Sequence, residues 1–539
     1  MTYSSSTGRD DGNERQPLVG ATSPCYDALQ NSTTDDLSDG LLPRESPRLK
    51  PLTWSSAYIL VVSRVIGSGV FATPGSIVKS AGSIGLSLSL WLVGTILSAC
   101  GMVVFMEYGC MLPRSGGEKV CLEYAYPRPR FLASTLIAVQ AVLLSFTASN
   151  CIIFAKYTLF VFTAEPTDYQ HKMLAAGLLT VITIMHGCFL KTGIFIQNML
   201  GWVKIFLITA ISLTGMWVIL LQPLESRPHH NSPKNPFAWD ALWEGSNWSW
   251  SLISTSLFKV LYSYAGLNNV NNVLSEVQDP IRTLKTVCPA ALITASGLYF
   301  LANISYFLVI PLEEIKQSGE LIAGLLFERL FGPHVGRLVL PLAVALSVAG
   351  NVMVVTFALA RVNQEIARQG FLPCSHLLSS SRPFNTPLGG LIVHYIPSAL
   401  VILLPPQGDA YNFILDVEGY PQQIFMLAIA IGLLLIRKRE PFRNPPFKAW
   451  RSAIWLRIIV CVALMAAPFF PPPGNRGDVG FFYATYAVVG AGILLAGVVY
   501  WYIWTVVLPR RGGYRLEEKS DIQEDGTVTK RLVRCYGLD

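Results

Sequence analysis

The sequence predicts an all-α polytopic membrane protein of about twelve transmembrane helices, with the first and sixth broken at mid-membrane. Three observations predict it. Of 539 residues, 52% are hydrophobic and 14% charged, with a mean hydropathy of +0.44; soluble domains carry nearer a quarter charged residues. Apolar runs recur along the chain, each near the ~20 residues a helix needs to cross the hydrocarbon. Two of those runs are interrupted by residues that a plain membrane helix lacks. An isolated apolar run could be a buried core helix, but so many in succession could not.

Residues 1–50 are rich in Ser, Thr, Asp, Gly and Pro and read as a disordered tail. The first apolar run extends from Trp54 to Ile77, with Gly67-Ser68-Gly69 at its centre and Pro74 shortly after. Glycine tolerates any backbone angle and proline removes a donor, so this helix is poorly held at mid-membrane. Unpaired backbone groups are tolerated there only where neighbours seal them or a ligand meets them. The break is therefore either a sealed kink or a binding site. Further runs lie at 85–111, 131–162, 172–190, 194–222, 250–274, 286–310, 336–360, 388–404, 411–436, 453–470 and 479–508. The run at 388–404 is short and that at 131–162 long. Residues 51–508 are thus expected to form the membrane domain, and 509–539 a C-terminal tail.

Basic residues set the orientation. Arg114, Lys119, Arg128 and Arg130 follow the second run, Arg282 and Lys285 the sixth, and Arg361, Arg368 and Arg382 the eighth. Arg437, Lys438, Arg439, Arg443, Lys448, Arg451 and Arg457 follow the tenth. Loops on the other side carry acids instead: Glu165, Asp168, Glu313, Glu314, Glu320 and Glu328. By the positive-inside rule both termini are cytoplasmic, so the net charge of +7 needs no nucleic acid to explain it. The ten cysteines form no CxxC or Cys/His cluster, and no metal site, cofactor or disulfide framework is expected. No cleavable signal sequence precedes the first run.

The sixth run reads Tyr262-Ser263-Tyr264-Ala265-Gly266-Leu267-Asn268-Asn269 where Leu, Ile and Val would be ordinary. Asparagine is costly in hydrocarbon unless it hydrogen-bonds or faces a cavity. Two broken helices five apart fit a five-helix inverted repeat that holds its ligand near the midplane. A half-helix N-terminus offers N–H groups to a carboxylate, and a half-helix C-terminus offers carbonyls to an ammonium. Both together suit a zwitterionic amino acid. Lys204 lies inside the fifth run, too deep to snorkel easily. It is expected either to link transport to proton release and capture or to hold broken-helix carbonyls structurally. Glu107, near the cytoplasmic end of the second run, is expected to be a structural partner there.

These residues resemble the amino acid–polyamine–organocation superfamily, and within it the L-type amino acid transporters. The likeness is carried by Arg64-Val65-Ile66-Gly67-Ser68-Gly69-Val70-Phe71, Glu107-Tyr108-Gly109, and Pro113-Arg114-Ser115-Gly116-Gly117-Glu118. It continues in Gln197-Asn198 ahead of Lys204, Tyr264-Ala265-Gly266 leading to Glu276, and Ala367-Arg368-Gln369-Gly370-Phe371-Leu372-Pro373. The Gly116-Gly117-Glu118-Lys119 run with Leu122-Glu123 is most similar to fungal high-affinity methionine permeases. The resemblance implies a LeuT-like fold: a 5+5 inverted repeat of ten core helices, with two peripheral ones. It implies that Gly67, Ser68 and Gly69 bind the substrate carboxylate, that carbonyls around Val65 and Tyr262 to Ala265 hold the ammonium, and that Ile66 belongs to the substrate-binding stretch. Tyr262 falls at an aromatic gate, and Ser263, Tyr264, Gly266 and Asn268 complete the expected lining. Leu267 stands where animal relatives usually have Trp, and Ala265 where they often have Gly. Val161 to His171 contains no Cys, so no disulfide-linked heavy chain is expected.

The expected function is secondary active uptake of neutral L-amino acids, methionine foremost, coupled to H+ at Lys204, across the plasma membrane by alternating access. No metabolite is chemically changed, so the chain is not an enzyme. The alternatives are a permease for another neutral amino acid or amine, and an amino acid sensor that binds without transporting.

Overall fold

The computed structural model describes residues 53–536 except 114–115, 146, 164, 222–236, 275–276, 381–383, 385, 406, 443, 473–479, 481 and 523–527. The expected N-terminal tail, and Arg114, Ser115, Glu276, Arg382 and Arg443, lie outside the described residues.

Helices α1 (Trp54–Val65) and α2 (Gly69–Ala81) make up the first run, and α3 (Ile84–Met111) the second. A short helix, α4 (Gly117–Ala125), precedes α5 (Leu132–Leu143) and α6 (Ala148–Phe162). Then come α7 (Asp168–Cys188), α8 (Leu190–Leu221), α9 (Trp250–Ser263), α10 (Pro280–Val309), α11 (Leu312–Ser318), α12 (Ile322–His334) and α13 (Leu340–Arg368). The series closes with α14 (Leu388–Leu403), α15 (Gln407–Arg439), α16 (Arg451–Ala466) and α17 (Thr485–Tyr502). Local chemistry starts these helices where the sequence turns apolar. Ser83 Oγ accepts the Leu86 N–H at 3.3 Å, and Thr167 and Gln170 form a reciprocal capping box.

Ten helical segments among the described residues are long and apolar enough to cross a membrane. The runs at 250–274 and 388–404 give shorter helices: α9 has 14 residues because its run breaks, and α14 has 16. The fold is therefore that of a polytopic all-α membrane protein. The long third run is also interrupted, between α5 and α6, which sequence reading did not anticipate. There the Thr147 N–H donates to Ser398 Oγ at 3.4 Å and Thr147 Oγ1 meets His394 Nε2 at 3.2 Å, so α14 supplies partners for the broken ladder.

The broken helices sit innermost. Every residue of α2 except Lys79 is buried. Helix α9 packs on α2, α3 and α15; α10 packs on α8, α3 and α1; α13 packs on α6, α8 and α14. Near the end of α3 Arg437 clasps Glu107, with Nε 2.9 Å from Oε1, and the Ala449 N–H donates to the same carboxylate at 2.7 Å. Glu107 is thus a structural partner, as its position in the sequence implied. The expected C-terminal tail contains an antiparallel hairpin, β1 (Tyr514–Ile522) with β2 (Val528–Tyr536), paired from Tyr514↔Tyr536 to Ile522↔Val528. Its Leu532 N–H donates to the Gln369 carbonyl at 3.2 Å, just past the end of α13.

Candidate functional site

The first break arises from its sequence. The last regular bond of α1 runs from the Ile66 N–H to the Val62 carbonyl at 2.9 Å; helix resumes when the Ala72 N–H reaches the Ser68 carbonyl at 3.0 Å. Carbonyls that Gly67 and Gly69 would have capped must find other donors. Lys204 Nζ, from α8, donates to the Ser63 carbonyl at 3.1 Å. Tyr299 Oη, from α10, lies 2.9 Å from the Val65 carbonyl. Pro74 has no N–H for the Val70 carbonyl, and Tyr306 Oη reaches that carbonyl at 3.4 Å. The break is sealed by side chains on its carbonyl side. On the other side, the first turn of α2 has N–H groups without intrahelical partners, as every helix start does.

The second break does not resume as α-helix. After Ser263 the chain turns through Tyr264 to Asn268, makes a 3₁₀ turn at Asn269–Asn272, and reaches Pro280. Gly266 takes φ +112°, a conformation a side chain rarely adopts, and the Arg64 stem lies over it. Tyr299 Oη is also 2.9 Å from the Ser263 carbonyl. One phenol therefore stitches the carbonyl ends of both broken helices. Each carbonyl keeps a second lone pair for another donor.

A hydrogen-bond chain joins Lys204 to the first break. Lys204, 1% exposed, donates to Asn351 Oδ1 at 3.1 Å. Asn351 donates to Asn150 Oδ1 at 3.2 Å, and Asn150 to Tyr262 Oη at 3.4 Å. Tyr262 Oη in turn meets Ser68 Oγ at 3.3 Å and Ser149 Oγ at 3.2 Å. The amides can donate in one sense only, so the Tyr262 proton is free to point at Ser68 or Ser149.

The sequence-predicted residues therefore fall into distinct places. Val65, Ile66, Gly67, Ser68, Gly69, Tyr262 and Ser263 come together where the breaks cross. Gly69 is the contact point: a Cβ there would lie 2.4 Å from Ser263 Oγ. Tyr264 turns away, its ring against Trp91 and Tyr299 and its hydroxyl 2.8 Å from Thr95 Oγ1. Ala265 is exposed at the bend. Asn268 turns to α4, donating to Glu118 Oε1 at 3.3 Å, an oxygen that Gln422 also reaches at 3.0 Å. Desolvation raises the Glu118 carboxyl above its ordinary value. Sequence reading missed Asn150, Asn351 and Tyr299, single polar residues in apolar runs. It also missed Glu418, whose signal was a carboxylate inside the run at 411–436.

Among the described residues no group of His, Cys, Asp and Glu could hold a metal. The arrangement can bind and orient a small molecule with charged ends.

Comparison with known proteins agrees with that geometry. The amino acid permease family matches residues 52–494. The chain is 34% identical over 483 residues to the high-affinity methionine permease of Saccharomyces cerevisiae, covering 88% of this chain and 83% of that one. It is 31% identical to the low-affinity methionine permease of the same yeast, covering 91% and 89%. It is 27% identical to the human b(0,+)-type amino acid transporter 1, covering 80% and 85%. The chain belongs to the amino acid permease family: it is a multi-pass membrane transporter of amino acids, not an enzyme.

Proposed function

We propose that this permease imports neutral L-amino acids, methionine foremost, with protons, by alternating access in a plasma membrane, both termini facing the cytoplasm. The observation that carries the reading is the meeting of two broken helices at Ser68 and Tyr262, one presenting helix-start N–H groups and the other carbonyls. That pairing complements a carboxylate and an ammonium a few ångströms apart. The two yeast relatives, both methionine permeases, point to methionine among such substrates. Breaks in the first and sixth runs support the 5+5 inverted repeat of the core. Gly67, Ser68 and Gly69 serve the carboxylate, and the carbonyls of Val65, Tyr262, Ser263 and Ala265 the ammonium. Ile66 and Gly266 shape the pocket from behind, whereas Tyr264 and Asn268, turned to Thr95 and Glu118, stand away from it.

Lys204 enters coupling through position. Its ammonium ties the last turn of α1 to α8 and α13, so a change in the protonation of the site that moves α1 is carried to both helices through it. No disulfide-linked heavy chain takes part, because the loop at 161–171 offers no cysteine.

The test is uptake of labelled methionine by liposomes holding only this protein, acidic outside, with other neutral amino acids as competitors. Accumulation above equilibrium that collapses when the gradient is dissipated is the expected result. Binding without any uptake would make the protein a sensor, and uptake that needs a co-expressed subunit would overturn the solitary reading.

A further inference from the structure

Two charged groups at the breaks are unused by these contacts. Arg64 ends α1, and a Cβ on Gly266 would come within 2.6 Å of its Cγ, which places its stem across the second break. Glu418 arrives from α15. That helix presses closely on α9, since a Cβ on Gly419 would stand 2.9 Å from Phe258, one turn before Tyr262. Tyr262 lies one turn beyond Phe258 and just before Gly266, so Arg64 and Glu418 reach the second break on either side of it, and their charges bear on one another there. Yet neither Arg64 nor Glu418 makes a hydrogen bond or ion pair among the described residues, and both are only half-buried.

A charge at membrane depth without a partner is expensive unless it faces water or a ligand. The neighbouring charges are already engaged. Lys204, which also acts on Arg64, has its two acceptors. Glu118 on α4 accepts from Gln422 and Asn268, and Glu107 holds Arg437; Arg457 on α16 donates to Gln423 through Nη2 alone, and its charge bears on Cys100 and Cys461 rather than on Glu418. Lys259 on α9 and Asp416 on α15 have partners of their own. Arg64 and Glu418 remain as an opposed pair, free to change partners beside the break.

We propose that Glu418 binds the coupled proton, and that Arg64 is a cation shared between Glu418 and the carboxylate of the incoming amino acid. The inference rests on the proton-coupled reading of this permease and names its acid. In the empty site the guanidinium offsets an ionised Glu418. A carboxylate entering at Gly67-Ser68-Gly69 draws the guanidinium towards itself, and one guanidinium cannot neutralise two carboxylates. Glu418, losing its counter-charge in a poorly solvated place, takes a proton from the outer solution and becomes a neutral acid; no other bond changes. Amino acid and proton then occupy the site together, and each raises the affinity for the other by the same factor. When the amino acid leaves for the cytoplasm, Arg64 returns and the proton is released.

The experiment compares wild type, Glu418→Gln, Arg64→Gln, Arg64→Lys and Lys204→Met in proteoliposomes. It measures gradient-driven methionine accumulation, methionine–methionine exchange without a gradient, and equilibrium methionine binding against pH. For wild type, affinity should weaken by about tenfold per pH unit once Glu418 ionises in the empty site. Glu418→Gln imitates the neutral acid: it should still exchange methionine, lose accumulation, and bind with no pH dependence. Arg64→Lys should keep the pH dependence and Arg64→Gln should lose it. Undiminished accumulation by Glu418→Gln overturns the proposal. So does a flat binding profile in Lys204→Met with a normal one in Glu418→Gln, since that places the proton on the lysine. Wild-type protein that exchanges methionine and ignores the gradient overturns proton coupling itself, a failure distinct from the other two.

Discussion

The two breaks differ in how the chain continues beyond them. After Val65 only Ile66, Gly67 and Ser68 separate α1 from α2, and helix restarts at once. After Ser263 the α-helix does not restart before Pro280. A helix that restarts presents a new set of free N–H groups, and so a face for anions; a helix that merely ends presents carbonyls. The two breaks are therefore unlike in chemistry, and that difference suits a ligand with two unlike ends. It also sorts the polar side chains. The first break recruits Lys204, Tyr299 and Tyr306 to its carbonyls, whereas beyond the second Asn268 turns to α4.

The contact between the breaks is the place to disrupt most. Gly69→Ala drives a methyl into Ser263 Oγ, and overpacking of this kind costs ~1–3 kcal/mol, enough to separate α2 from α9. Loss of uptake together with a lower Tm in detergent is expected, and Ser263→Gly in the same chain should restore both. Failure of that rescue would return Gly69 to direct substrate contact alone.

At least as costly to stability is Lys204→Met. It leaves the Ser63 carbonyl and Asn351 Oδ1 without their donor, at a cost of ~1–3 kcal/mol for each buried group. The Tm should fall clearly, and gradient-driven accumulation should suffer more than equilibrium binding. Lys204→Arg should not rescue, because a planar fork does not fit a site built for a compact ammonium. A Tm equal to wild type would show that the first break does not depend on this seal.

Tyr299→Phe tests the stitch between the breaks and should cost about 1 kcal/mol, the net worth of one hydrogen bond. A modest fall in Tm with expression retained is expected, and no change would mean that packing alone holds the carbonyl ends. Tyr262→Phe should do least to stability, since its bonds of 3.2–3.4 Å are long. Its effect should appear in KM, and a KM equal to wild type would remove Tyr262 from the pocket.

Membrane insertion, helical class and the location of both breaks are legible in the sequence, because each rests on local chemistry: run length, Gly-Ser-Gly, Pro74 and the asparagine cluster act within a few residues. Lys204 is legible too, since a charge in an apolar run stands out wherever it points. What the sequence leaves open is which carbonyl receives that ammonium, and that a phenol on α10 bridges both helix ends. The interruption between α5 and α6 is equally hidden, being supplied with partners by α14. So is the convergence of Arg64 and Glu418, 354 positions apart in the chain, on the second break. Such pairings depend on how helices cross in three dimensions, and a run of sequence carries no record of its neighbour across the bundle. Only tertiary packing decides whether a lone polar residue becomes a seal, a relay or a free charge.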